Sequence, residues 1–227
     1  MAKKGNDISK ERLLYVEGPN DKWVLISLKD QYGHPEDDIY IGDKGNCDKA
    51  ITAFGTTISN PIVTKRLGII VDADTDISSA RQKIITELHN NNISIAENEL
   101  TRAGGYIKDI VNQSSSPLRI GVWIMPDNIN AGRLEDFLFK KINPVDDLFV
   151  QVDPALISLE ETAKVNAKVA EKMYTQTHRD KAKLHTYISW STHPDVSMGI
   201  AVKANLFPIE SAEEKLFKNW LEELFYT

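Results

Sequence analysis

Carboxylates are the residues through which this sequence could do chemistry, and they fall into three groups. Glu17 follows the apolar run Leu13-Leu14-Tyr15-Val16, with Asp21 four residues further on. Asp72, Asp74 and Asp76 come directly after Leu67-Gly68-Ile69-Ile70-Val71. Glu135 and Asp136 follow a third apolar run, residues 120–125, and the polar loop after it. Carboxylates gathered in one cleft repel each other and raise each other's pKa until cations neutralise them. Hard oxygen donors of this kind suit Mg²⁺ or Mn²⁺, with water and substrate phosphate completing the octahedron. Two such ions about 4 Å apart activate a water and stabilise the departing oxygen in phosphodiester hydrolysis.

Spacing sorts the candidates. In extended backbone Asp72 and Asp74 point the same way and can share a metal or hold two. Asp76 extends that face only if the chain stays extended; capping a helix before Ser78 is its competing and slightly favoured role. Asp21 reads equally as a metal ligand beside Glu17 and as a first-turn acid favoured by a helix dipole. Glu17 ends an apolar strand just before Gly18 and Pro19, with no evident packing reason to be acidic. Glu135 and Asp136 complete a second metal site or position water; the competing reading is that one of them caps a helix or faces solvent.

The elements that must position these groups follow a β-α alternation, which predicts an α/β fold with a mostly parallel sheet flanked by helices. Strands are predicted at 13–16, 39–41, 67–71 and 120–125, and helices at about 20–32, 47–58, 78–90 and from 134. Residues 91–111 read as strand and turn, and Ser114-Ser115-Ser116-Pro117 as a short loop. After Pro154 strand signals vanish, and helices are expected at about 155–174, 178–190, 195–205 and 211–225. This divides the chain into a sheet domain, 1–150, and a helical C-terminal extension, 151–227, packed on it. All three acidic groups then sit at carboxyl ends of strands, the edge where open α/β sheets bind ligands.

The 227 residues carry 27 Lys and Arg against 33 Asp and Glu, a net charge of −6, which disfavours a general polyanion-coating role. A metal-binding acidic cleft contributes to such a balance and loses its charge when loaded. Cys47 is alone, so neither an intrachain disulfide nor a multi-cysteine zinc site is expected. No apolar run approaches the roughly 20 residues of a membrane span, and the basic N-terminus lacks the apolar stretch of a secretory signal, which predicts a cytoplasmic protein. A Gly-x-Ser-x-Gly elbow and a P-loop are both missing. Gly42-Asp43-Lys44-Gly45-Asn46 reads as a turn, not a phosphate cradle, and His185, near Tyr187 and Trp190, as a core histidine.

Leu14-Tyr15-Val16-Glu17-Gly18-Pro19-Asn20-Asp21 resembles the glutamate motif of the Toprim superfamily, and Gly68-Ile69-Ile70-Val71-Asp72-Ala73-Asp74 resembles its Asp-x-Asp motif. The likeness covers roughly residues 10–140. Within the superfamily it is nearer to small stand-alone Toprim proteins of uncharacterised function and to the Toprim part of OLD-family nucleases. Gly132-Arg133-Leu134-Glu135-Asp136-Phe137-Leu138 looks like the later acidic motif of those groups, and Lys181 or Lys183 like the basic residue after it. The resemblance implies a Toprim-like fold and a metal-dependent nuclease acting on DNA or RNA. Glu17, Asp72 and Asp74 would be its core ligands and Lys183 would contact the scissile phosphate, although the sequence does not separate Lys183 from Lys181. It also implies a phage-defence effector working with a separately encoded ATPase. Two other readings use the same residues: a non-catalytic metal- and phosphate-binding assembly module, and an enzyme acting on small phosphorylated molecules. Leu216, Phe217, Trp220, Leu221 and Phe225 give the last helix an apolar face that covers either its own sheet or, in a homodimer, another chain.

Overall fold

Alternate residues of the first strand divide the core. Leu13 and Tyr15 join one apolar cluster while Leu14 and Val16 join the other, so both faces of the strand are covered. The computed structural model describes residues 10–34, 38–61, 63–111 and 117–227. In chain order the elements are β1 (Arg12–Val16), α1 (Pro19–Gln31), β2 (Tyr40–Asp43), α2 (Cys47–Ser59), β3 (Arg66–Asp72), α3 (Ile77–Asn90), β4 (Tyr106–Val111) and β5 (Pro117–Met125). Helices α4 (Leu134–Phe139), α5 (Phe149–Val165), α6 (Ala167–Ala170), α7 (Arg179–Trp190), α8 (Met198–Lys203) and α9 (Ala212–Tyr226) follow. The five strands form one sheet in the order β2-β1-β3-β5-β4, parallel except for the β4–β5 pair.

Helices α2 and α3 cover one face through Phe54, Ile58, Ile84 and Leu88. The other face is covered by α1 and the C-terminal helices, with Phe217, Trp220, Leu224 and Phe225 of α9 in the same cluster as Leu14, Ile70 and Trp123. Glycines in register on β3 and β5, Gly68 and Gly121, let α9 approach closely. A Cβ on Gly121 would stand 2.6 Å from Leu224 Cδ2, and one on Gly68 3.0 Å from the same atom. Trp220 Nε1 donates to the Tyr106 carbonyl at 3.1 Å, fixing α9 to β4 as well. At the amino ends of β1, β3 and β5 stand Arg12, Arg66 and Arg119 in register. Arg66 donates to the Leu224 and Thr227 carbonyls and Arg119 to the Glu223 carbonyl, satisfying the unpaired acceptors of α9's negative end.

Several boundaries differ from expectation for local reasons. Pro154 does not open α5 but lies within it, because Asp146 Oδ1 accepts from the Leu148 and Phe149 N–H groups and starts the helix there. The expected domain division at 150 therefore falls inside α5. The single helix expected over 155–174 is interrupted at Asn166, whose side chain caps α6. Pro117 opens β5, the first strand position that tolerates it, while Ser114, Ser115 and Ser116 lie outside the described residues. Among the described residues no helix is long and apolar enough to cross a membrane.

Candidate functional site

Sheet order brings the first two acidic groups together. From β1 the chain runs to β2 on one side and then to β3 on the other, so a crevice opens between the carboxyl ends of β1 and β3, where the order reverses. Glu17 leaves β1 there and Asp72 ends β3. They interlock: Glu17 Oε1 accepts from the Asp72 N–H at 2.9 Å. The turn after β2 fastens the same corner, with Gly45 N–H donating to the Glu17 carbonyl at 2.6 Å. Asp21, in the first turn of α1, accepts from the Gly18 N–H at 2.7 Å through Oδ2. The loop after β5 brings α4 over this edge, and the Leu134 N–H donates to Asp72 Oδ1 at 3.1 Å.

Glu17, Asp21, Asp72 and Leu134 close on a gap with no room for a water molecule, so the carboxylates are dehydrated on their inner side. Burial pushes the Asp72 carboxyl well above the usual carboxylate range, and the charges of Asp21, Glu17, Glu135 and Asp74 push it further. Burial likewise raises Asp21 to about 6 against its Gly18 hydrogen bond, with Glu17 and Glu135 adding to the rise. Glu17 is raised by burial and by Asp74, while the Asp72 N–H opposes the rise. One electrostatic unit thus contains Glu17, Asp21, Asp72, Asp74 and Glu135, drawn from β1, α1, β3 and α4. The Cys47 thiol at the start of α2 borders it; burial, then the Glu17 charge, pushes that thiol up to about 12.

Other candidate residues stand differently. Asp74 does not continue the strand as expected for a shared face with Asp72: the chain turns after Ala73, placing Asp74 at φ 50°, bridged to Gly132. There it is exposed, and Arg133 Nε donates to its Oδ1 at 2.5 Å. Asp76 is the N-cap of α3, accepting from the Ser78 N–H at 2.9 Å. Of the pair on α4, Glu135 is buried and its charge acts on Asp72 and Asp21. Asp136 turns back to accept from the Arg133 N–H at 2.8 Å and is raised by burial and by Asp180. Gly132, at φ 145°, permits this, since a Cβ there would stand 2.9 Å from Asp136 Oδ2.

The basic residues separate cleanly. Lys183 faces α5, with Nζ 2.5 Å from Asp153 Oδ2 and 4.7 Å from the Phe149 ring centroid. Lys181, on the other flank of α7, is the lysine whose charge lowers Asp21. His185, one helical turn on, is exposed and not a core residue; partial desolvation by the surrounding protein and then Lys181 lower its pKa, while Glu135 raises it. Arg133, to which sequence reasoning gave no role, ties Asp74 to the Thr177 carbonyl by donating to both.

The donor set fits a hard divalent cation in chemistry, since Asp21 and Asp72 each commit one oxygen to a backbone N–H, while Glu17 accepts from the Asp72 N–H and from the Cys47 thiol. In these side-chain positions, no group of three or more His, Cys, Asp or Glu among the described residues stands in metal-holding geometry. No curated protein and no solved structure matches the chain. A family model described as "Protein of unknown function (DUF3226)" matches residues 11–226, nearly the whole sequence, and the chain belongs to that family.

Proposed function

We propose that the chain is a Toprim-type nuclease that uses Mg²⁺ or Mn²⁺ to hydrolyse phosphodiester bonds in DNA or RNA. The observation that carries this reading is the single field shared by Glu17, Asp21, Asp72, Asp74 and Glu135 at the β1/β3 switch point. Dehydrated carboxylates that raise each other's pKa gain most from a cation, which restores the charged forms. When bound, the cations would supply an activated water and stabilise the departing oxygen. Glu17, Asp72 and Asp74 would hold them, with Asp21 and Glu135 beside. Lys181 is better placed than Lys183 to meet a phosphate, because Lys183 is committed to Asp153. Likeness to OLD-family nucleases extends the proposal to a phage-defence effector with a separate ATPase.

Cleavage of single-stranded DNA, plasmid DNA and RNA with Mg²⁺ or Mn²⁺ tests this reading. Wild type should cut at least one substrate, and Asp72→Ala and Asp74→Ala should each lower the rate by about a hundredfold or more while keeping the wild-type circular dichroism. Unchanged rates in both variants would overturn it. The Arg133–Asp74 ion pair and the backbone bonds to the other carboxylates favour a second reading, a binding module that takes up metal and phosphate without turnover. That module would show metal-dependent oligonucleotide binding and no cleavage.

A further inference from the structure

A cleft of about 640 Å³ runs between α1 and the amino-terminal parts of β1 and the edge strand β2. Its described lining includes three cations, Lys10, Arg12 and Lys22, and two aromatic rings, Trp23 and Tyr40. Trp23 is 53% exposed, although it sits in the first half of a helix whose next two residues are buried. Lys22 Nζ lies 6.0 Å from the Trp23 ring centroid and Lys10 Nζ 5.9 Å from that of Tyr40, so charge and ring alternate along the wall.

The two acids of the lining are neutralised from outside it. Glu11 pairs with Lys65 at 2.7 Å, and Asp38 with Lys29 at 2.7 Å and with the Tyr226 hydroxyl. The cations are not matched in this way: among the described residues Lys22 has only Asp43 at 3.8 Å, and Arg12 lies over the Tyr226 ring at 5.2 Å. Among the described residues the lining therefore carries an excess of positive charge, within a protein whose net charge is −6. It also leads to the site. Lys22 adjoins Asp21, and Asp43 pairs in register with Val16, the residue before Glu17. From Arg12 to Val16 the strand rises four residues, about 13 Å.

We infer that this cleft binds single-stranded nucleic acid, with Trp23 stacking on a base, Lys22, Arg12 and Lys10 holding phosphates, and the strand led toward the carboxylates at the β1/β3 switch point. The inference rests on the nuclease reading for its direction, but the binding itself needs no metal. An exposed ring flanked by cations recognises an unstacked base and its backbone together, which duplex DNA does not offer. Polyanions without bases satisfy only the cations.

The test is fluorescence anisotropy of fluorescein-labelled oligodeoxythymidylate with the full chain in EDTA, where cleavage plays no part. Single strand should bind more tightly than a duplex of equal length or polyglutamate, with affinity falling as salt rises. Trp23→Ala should weaken binding about tenfold, and Lys22→Gln should weaken it and flatten the salt dependence. Trp190→Ala, at an exposed tryptophan outside the cleft, should leave affinity unchanged. Thermal melting of each variant separates a binding loss from unfolding, and Lys22→Gln, on the helix surface, provides a second probe if Trp23→Ala does not fold. Equal affinity of wild type, Trp23→Ala and Lys22→Gln, equal binding of duplex or polyglutamate, or no single-strand binding would overturn the inference. Wild type that binds single strand in EDTA yet cuts nothing with Mg²⁺ or Mn²⁺ marks failure of the nuclease reading alone, and failure of this one shows as cleavage independent of Trp23.

Discussion

At Asp72 the protein holds a carboxyl against both burial and four acidic neighbours. The native state keeps protons at Asp72 and Asp21 that an unfolded chain releases near pH 4. For Asp21 the window runs from 3.8 to about 6. Metal-free protein should therefore lose stability as pH rises through that window, the opposite of a salt-bridged carboxylate. Asp72→Asn keeps an oxygen for the Leu134 N–H and removes the charge, so it should stabilise metal-free protein at pH 7. Urea unfolding at pH 5 and pH 7 checks both points; a wild type more stable at pH 7 than at pH 5, together with a destabilised Asp72→Asn, would contradict them. Glu17 and Asp72 were legible in the sequence because each directly ends an apolar run that can only be a buried strand. Arg133 was not, because its role is set by a turn that places Asp74 at φ 50° beside Gly132, and spacing alone left Asp72 and Asp74 on one extended face.

Among the elements, α7 decides which basic residue meets the acids. Leu184, Tyr187 and Ile188 form its buried stripe, which puts Lys181 and His185 on one flank and Lys183 on the other. That division was present in the sequence; which flank faces α4 is fixed only by how α7 packs. Lys181→Ala should lower nuclease activity about tenfold or more, by loss of phosphate contact, whereas Lys183→Ala should act through stability, since it leaves Asp153 with Arg179 alone. Steady-state cleavage rates alongside melting temperatures distinguish the two, and the reverse pattern would show that Lys183 is the phosphate contact. Helix α8 seats on α1 through Gly199, where a Cβ would stand 2.7 Å from the Trp23 carbonyl oxygen. Backbone cannot yield as a side chain can, so Gly199→Val should cost about 1–3 kcal/mol in chemical unfolding. Wild-type stability in that variant would mean that α8 and α1 are not in this contact. The β1, β3 and α2 boundaries were legible to within a residue or two, whereas the start of α5 was not, because Asp146 opens that helix ahead of the expected start near residue 155.

Across the whole molecule, topology turns a scattered set of acids into one site. The order β2-β1-β3-β5-β4 places the ends of β1 and β3 side by side, and the loop after β5 lowers α4 onto them. Helix α9, far along the chain, covers β3 and β5 through Leu224 and Trp220 on the face that α1 also covers. The α/β class and the acidic edge were legible from strand ends alone. The cleft at Trp23 was not, since an exposed tryptophan within a helical pattern looks like any other apolar position until β2 is set beside it. The proposed chemistry requires the carboxylates to act as a cation site, and calorimetric titration of Mg²⁺ and Mn²⁺ into wild type and the Asp72→Ala/Asp74→Ala double variant tests that directly. Heat of binding in the wild type, lost in the double variant, is the predicted result. A wild type that takes up neither ion, or a double variant that binds them equally well, would contradict it.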